Sequence, residues 1–178
     1  MGSTASPRDE VDLPEGVVLP IPRPGEVWVV GAVIRDAADL LFVQRRTAAR
    51  RLFPDSWDLV GGHLDPGEPI LAALAREITE ETGWTLSRIV ASLGVMDYTG
   101  DDGVTRKEID FLVDVDGDLD HPMLEPGKHE QPRWITPSEV SALLRQQHPG
   151  EDLVQRLLEG AFEWLDAHQG HRDGPGAH

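Results

Sequence analysis

Three glutamates, Glu77, Glu80 and Glu81, stand at i, i+3 and i+4 in a stretch that reads as helix. That spacing puts them on one helical face. Followed forward, Glu77 meets Glu81, Glu80 meets Trp84 and Glu81 meets Thr85, so no lysine or arginine at i+4 relieves them. Like charges at this spacing cost about 0.2–0.5 kcal/mol per pair. Such a face is either solvated or holds hard divalent cations, which take oxygen ligands. Carboxylate-held cations neutralise phosphate oxygens and generate a nucleophile from water near neutral pH.

The helix that positions these groups has both ends marked. Pro69 suits a first helical position, where its missing N–H is harmless, and Gly83 suits the residue just past the end. Between them Leu71, Leu74, Ala75, Ile78 and Thr82 recur at helical spacing and predict one buried stripe. A helix of this length spans roughly 20 Å.

The wider spacing is more specific. From Gly62, five residues lead to Glu68, seven more to Arg76-Glu77-Ile78, one to Glu80-Glu81 and one to Gly83-Trp84. This resembles the box of the Nudix hydrolase family, with every fixed position filled. The resemblance covers residues 62 to 84. It implies an α/β (α+β) sandwich, a mixed β-sheet between helices, with the box as a loop-helix-loop. It implies a divalent-metal-dependent hydrolase that cleaves a phosphoanhydride in a nucleoside diphosphate linked to another moiety, with Mg²⁺ or Mn²⁺ as cofactor.

Carried over residue by residue, the resemblance makes Glu77, Glu80 and Glu81 metal ligands, with the Gly61 carbonyl as a further one. Glu77 or a neighbour accepts a proton from water, and Arg76 orients Glu77. Glu68 ties loop to helix, Gly62 and Gly67 allow a tight backbone path, and Gly83 ends the helix. His63 is either a ligand or a bystander. Many family members add an acidic residue from a loop before a late strand; here that is Glu130, with Glu125 as the other candidate, as metal ligand or base. Arg45, Arg46, Arg50 and Arg51 form the one dense basic cluster, a solvated surface or a grip for substrate charges. Val60 stands where family members often have proline.

Nucleoside triphosphates, including oxidised or non-standard ones, are the favoured substrate. ADP-ribose or another nucleotide sugar is the alternative. Isomerases of the isopentenyl diphosphate type share the fold but use a cysteine acid/base, and this chain has none. Non-catalytic sensor domains usually have eroded boxes.

The 178 residues suit one domain, with 39% hydrophobic and 27% charged residues. The net charge of −16 argues against a nucleic-acid polymer as partner, though not against a small phosphorylated one. Without cysteine there is neither disulfide nor thiolate site. The longest apolar run, Val27 to Ile34, is too short to span a membrane, and a cytoplasmic location is the default. Oligomeric state is not readable; a homodimer stays open.

In order, residues 1–25 predict a proline-punctuated leader with an edge strand as one option, residues 26–168 the Nudix hydrolase domain, and 169–178 a disordered tail. Val27 to Ile34 and Leu40 to Gln44 predict a hairpin around Asp36 to Asp39, followed by the arginine loop. Trp57 to Val60 predicts a short strand into Gly61-Gly62. Thr85 to Tyr98 predicts one or two strands with Gly94 as a bulge, and Val104 to Val115 another. Asp114 to Asp120 is an acidic turn whose glycine is misplaced for a calcium loop. Glu125 to Pro132 predicts a polar loop, Arg133 to Thr136 a strand, then a helix capped by Thr136 or Ser138 and a last helix from Glu151 to His168.

Overall fold

The computed structural model describes residues 11–51, 53–100, 102–144 and 152–169. The first ten residues of the expected leader, Glu151, and positions 170–178 of the expected tail lie outside them. The elements run β1 (Val27–Ile34), β2 (Leu41–Arg46), β3 (Trp57–Asp58), β4 (Val60–His63), α1 (Ile70–Thr82), β5 (Thr85–Thr99), β6 (Thr105–Asp116) and β7 (His129–Ile135). A 3₁₀ turn over Pro137–Glu139 leads into α2 (Val140–Leu144), and α3 (Leu153–His168) closes the fold.

The strands form two sheets, ordered β4-β1-β6-β5 and β3-β2-β7. In the larger sheet β1 runs parallel to β6 and antiparallel to β4. The sheet is therefore mixed, as expected. One core gathers Val30, Ala32 and Ile34 of β1 with Leu74 and Ile78 of α1. The other gathers Val33 with Leu144 of α2 and Leu158 of α3. Alternate residues of one strand thus serve opposite faces, and helices cover both.

Several expectations need correcting. β1 and β2 do not form a hairpin ladder. The turn is tight, with the Asp36 N–H donating to the Leu40 carbonyl at 3.0 Å, but beyond one bridge at Arg35 and Leu41 the strands part into different sheets. Both strands are already flanked by other partners, so neither has an edge left for the other. Residues 57–63 are two strands rather than one, because the chain crosses from sheet to sheet at Leu59. Arg45 and Arg46 belong to β2, and Glu130 belongs to β7, rather than to loops. The leader contributes no strand within 11–26; Val11, Val17 and Leu19 pin it by packing on the core.

Helix α1 starts one residue later than expected, with Pro69 as the extended cap residue. Gly83 ends it in the left-handed conformation, φ 75°, its N–H donating to the Thr79 carbonyl at 2.9 Å. The buried stripe is rotated relative to expectation. Ile70 and Ala73 are buried, whereas Leu71 and Ala75 are only half-buried. β5 is one strand, and its pairing slips between Ser92 and Gly94, the expected bulge. Thr136 caps the 3₁₀ turn in a reciprocal capping box with Glu139.

Phe42, Trp84 and Trp134 pack together, with ring centroids 4.9, 5.3 and 5.8 Å apart. The Trp84 indole N–H donates to the Asp118 carbonyl at 2.8 Å, which is what the acidic turn does here. Trp84 follows directly on Gly83, so this cluster sets where the glutamate-bearing end of α1 rests. Trp84→Ala is expected to destabilise the protein by about 3–5 kcal/mol, read as a lower urea midpoint at unchanged slope. A shift under about 1 kcal/mol would contradict this anchoring.

Candidate functional site

Arg76 is the cation of the α1 face. Its guanidinium takes Glu68 with two hydrogen bonds of 2.9 Å each, and reaches Glu77 at 2.7 Å, Glu80 at 3.3 Å and the His63 carbonyl at 3.1 Å. Glu68 also accepts from the Asp65 N–H at 2.9 Å, so it joins the box loop to the helix. The forward reading of the glutamates missed Arg76 because it stands four residues before Glu80, not after it. Arg76 holds the Glu68 carboxyl below the usual carboxylate range.

Each glutamate has a different environment. Glu77 lies against Gly62, where any Cβ would collide with its carboxylate. Burial raises its pKa, and Arg76 opposes that shift. Glu80 is exposed. Glu81 is only 5% exposed, so it belongs to the buried stripe as much as to the acidic face. Its Oε2 accepts from Gln44 Nε2 at 2.8 Å and from the Gly61 N–H at 3.2 Å.

The second sheet supplies what surrounds Glu81. Gln44 and Arg46 point to the same side of β2, and Arg46 pairs with His129 of β7. Asp58 of β3 accepts from Arg46 at 2.7 Å. His129 is buried between two carboxylates, Nδ1 3.8 Å from Glu81 and Nε2 3.6 Å from Asp58. Neither nitrogen has a hydrogen-bond partner. Arg45 and Glu130, paired with each other, lie on the opposite side. Glu130 is exposed there, so β7 turns His129, not Glu130, toward the glutamates. Arg45 bonds the Asp55 carbonyl and Gln131, away from the site, while Arg46, Arg50 and Arg51 line its cavity. His63 accepts a hydrogen bond from Arg106 at 3.0 Å, and burial, then that guanidinium, lowers its pKa.

The cavity has a volume of about 820 Å³. Gly61, Gly62, Asp58 and Glu108 contribute to its walls. Glu108 and Asp110 of β6, His129, Gln44 and Asp58 were all missed by the sequence reading. Glu108-x-Asp110 left one signal: two carboxyls alternating with Ile109 and Phe111 just before the apolar run Phe111-Leu112-Val113. His129 left none.

The donor set of the site is one for a divalent cation. Its donors are hard carboxylate oxygens within one helical turn, as Mg²⁺ and Mn²⁺ require. One of them, Glu81, is buried beside Asp58 without a cationic group bonded to it. Among the described residues no three Asp, Glu or His side chains converge on one point, because Arg76 and Gln44 draw the glutamates apart. The donor chemistry fits.

A sequence profile of the NUDIX domain matches residues 26–157. The chain therefore belongs to the Nudix family. It is 34% identical over 114 residues to an isopentenyl-diphosphate Delta-isomerase of Nocardia farcinica, covering 61% of this chain and 63% of that one. It is 38% identical over 81 residues to a putative 8-oxo-dGTP diphosphatase 2 of Mycobacterium tuberculosis, covering 43% and 50%. The chain thus spans less than two thirds of either relative. A MutT protein crystal structure from Methanosarcina mazei shares the fold, with TM-score 0.62 and 22% identity over 78% of this chain and 94% of that one.

Burial, followed by the Asp58 charge, pushes the Glu81 carboxyl up to about 8. The folded protein therefore holds this proton more tightly than the unfolded chain, whose glutamates titrate near pH 4.3. The resulting stabilisation is complete below that range and is lost as pH rises toward about 8. In EDTA, the wild type is expected to lose stability relative to Glu81→Gln across this range, on the order of a few kcal/mol. Parallel melting-temperature profiles for the two proteins would contradict the assignment.

Proposed function

We propose that this chain is a divalent-metal-dependent hydrolase of phosphoanhydrides in nucleoside diphosphate derivatives. The observation that carries the reading is the complete box folded as one unit. Arg76 clamps Glu68 to Glu77, and Glu77 and Glu81 close on Gly62 and Gly61 at the wall of a nucleotide-sized cavity. Glu77, Glu80, Glu81 and the Gly61 carbonyl are the proposed metal-holding groups. Mg²⁺ or Mn²⁺ bound there offsets phosphate charge and acidifies water.

The chain's own groups have distinct tasks. Arg76 holds Glu77 in one orientation with a charge-assisted bond. Half-buried Glu77 has a raised proton affinity and is the proposed acceptor of the proton from water. Gln44 and the Gly61 N–H fix one Glu81 oxygen, and His129 packs beside the other. Arg46 and Arg50 give the cavity a cationic wall for substrate phosphates, while Arg45 takes no part. In this reading Glu130 is neither base nor ligand, which its outward-facing place on β7 supports.

Nucleoside triphosphates, including oxidised ones, remain the favoured substrate, with ADP-ribose or another nucleotide sugar as the alternative. The Mycobacterium relative supports the first. The Nocardia relative does not make this chain an isomerase of that kind, since cysteine acid/base chemistry is unavailable to it.

A nucleotide panel with Mg²⁺ or Mn²⁺, assayed for phosphate and pyrophosphate release, tests the reading. Glu80→Gln and Glu81→Gln should each lower kcat by about 100-fold or more while circular dichroism stays native. Full turnover of metal-stripped protein in excess EDTA would refute it. Glu130→Gln should retain kcat within about threefold, well above the catalytic loss of roughly 10²–10⁴ expected on removing a general base. A Glu130→Gln loss in that range would restore the loop-acid expectation. Saturating Mn²⁺ should raise the melting temperature by mass action, and an unchanged curve would count against a cation site in the folded protein.

A further inference from the structure

His63 is the box residue that the proposed hydrolysis leaves without a task. It stands two positions past Gly61 on β4, so the two residues share one side of the sheet. That side lines the cavity, and His63 is exposed at its wall. An exposed histidine ordinarily turns freely, but this one is held at both ends. Its carbonyl accepts from Arg76 of α1 at 3.1 Å, and its ring Nε2 accepts from Arg106 Nε at 3.0 Å.

Arg106 is itself fixed. It lies on β6, on the far side of β1 from β4, and its guanidinium reaches over β1 to the His63 ring. Asp102, in the turn between β5 and β6, takes the guanidinium with bonds of 2.9 and 2.6 Å, and the Val104 carbonyl takes a third at 3.1 Å. Asp102 also accepts from the Val104 N–H at 3.0 Å, which anchors its carboxylate to the turn. A chain of bonds thus runs from the turn through Arg106 to the box strand. Asp102 and Arg106 line the same cavity.

The hydrogen bond decides which ring nitrogen is the donor. The Arg106 N–H needs a lone pair at Nε2, so the proton of the neutral imidazole sits on Nδ1. A cation at Nδ1 would need a lone pair there as well, and a neutral imidazole has only one to give. The bond to Arg106 therefore speaks against His63 as a metal ligand. Among the described residues Nδ1 has no hydrogen-bond partner. A held N–H without a partner, on an exposed ring at the cavity wall, suits an anionic oxygen. The two residues from Gly61 to His63 span about 7 Å along the strand. A cation held at Gly61 reaches only roughly 2–2.6 Å to its ligands. A phosphate chain held by that cation and lying along β4 brings its next phosphate to the ring.

We propose that the His63 Nδ1–H binds substrate phosphate, aimed by Arg106 and Asp102. It donates to a non-bridging oxygen of the phosphate next to the one that the metal covers. The proposal rests on the hydrolase reading of the site. Arg106 and Asp102 are positioning residues in it, since their own donors and acceptors are spent on each other and on the ring. Loss of one hydrogen bond to a charged oxygen weakens binding of that group by about tenfold or more.

The test separates the two ring nitrogens. In His63→Asn an amide N–H takes the place of Nδ1, and nothing stands at Nε2. In His63→Gln a carbonyl oxygen accepts from Arg106 in place of Nε2, and nothing stands at Nδ1. Both are compared with wild type as full chains, with Mg²⁺, on dGTP and ADP-ribose. His63→Gln should lose kcat/KM by about tenfold or more, and His63→Asn should recover it to within about fivefold of wild type. The reverse order, with Gln active and Asn impaired, means that the ring only holds Arg106, and it overturns the proposal. Equal activities in the two variants, whether retained or lost, overturn it as well. Calorimetric Mn²⁺ affinity without nucleotide should be the same in all three proteins; a loss in either variant assigns His63 to the metal and overturns the donor role. If no nucleotide is turned over, the hydrolase reading fails separately. Binding of inorganic pyrophosphate with Mg²⁺ then decides: weaker binding by His63→Gln than by His63→Asn supports the donor, and equal affinities sink it.

Discussion

Carboxyl groups buried next to one another are the constraint around which this molecule is built. Glu81, Glu108 and Asp110 lie inside the fold and Asp58 stands beside them, yet arginine pairs directly only with Asp58 in this set. Desolvation penalises each charge, and mutual repulsion adds to the penalty. Where a cation is absent, neutral donors and missing side chains do the accommodating. Gln44 and the Gly61 N–H hold Glu81, Gly62 gives Glu77 its room, and Gly31 gives Asp110 its own. The buried side-chain polar atoms left without hydrogen bonds among the described residues all belong to Gln44, Asp110 and His129. Gln44 and His129 adjoin Glu81, and Asp110 lies against the Glu108 carboxyl.

That constraint explains the topology around the site. A single sheet could not surround Glu81, because strand side chains reach only two faces. The chain crosses between sheets at Leu59, so Asp58 belongs to one sheet and Gly61 to the other. Glu81 is thereby enclosed by the large sheet's glycines, the small sheet's Gln44 and His129, and its own helix. The two cores on opposite faces of β1 and the aromatic cluster around Trp84 make this arrangement rigid. Preorganised groups held by packing are what an electrostatic site needs.

Helix α1 shows how a local pattern can be right while its consequences are only partly visible. Proline and glycine marked its ends to within a residue, since those two residues act through their own backbone. The apolar stripe was rotated because β4 and β5, not periodicity alone, choose which side is covered. Arg76 was overlooked as a partner of Glu80, although the i, i+4 relation was already present in the sequence.

By itself the sequence determined the family, the mixed sheet between helices, and the groups clustered on the box helix. Each depends on local spacing, capping or a fixed set of residue types. It could not determine which way a strand residue faces when the pairing partner is distant. The hairpin of β1 and β2 and the loop placement of Arg45, Arg46 and Glu130 failed for that reason. One step along a strand reverses the face, so His129 meets Glu81 while Glu130 meets solvent. Tertiary structure alone brought Asp58 and His129 beside Glu81, and Glu108 within reach of the Asp58 charge. These groups come from three strands far apart in sequence, and only the register of two sheets places them together.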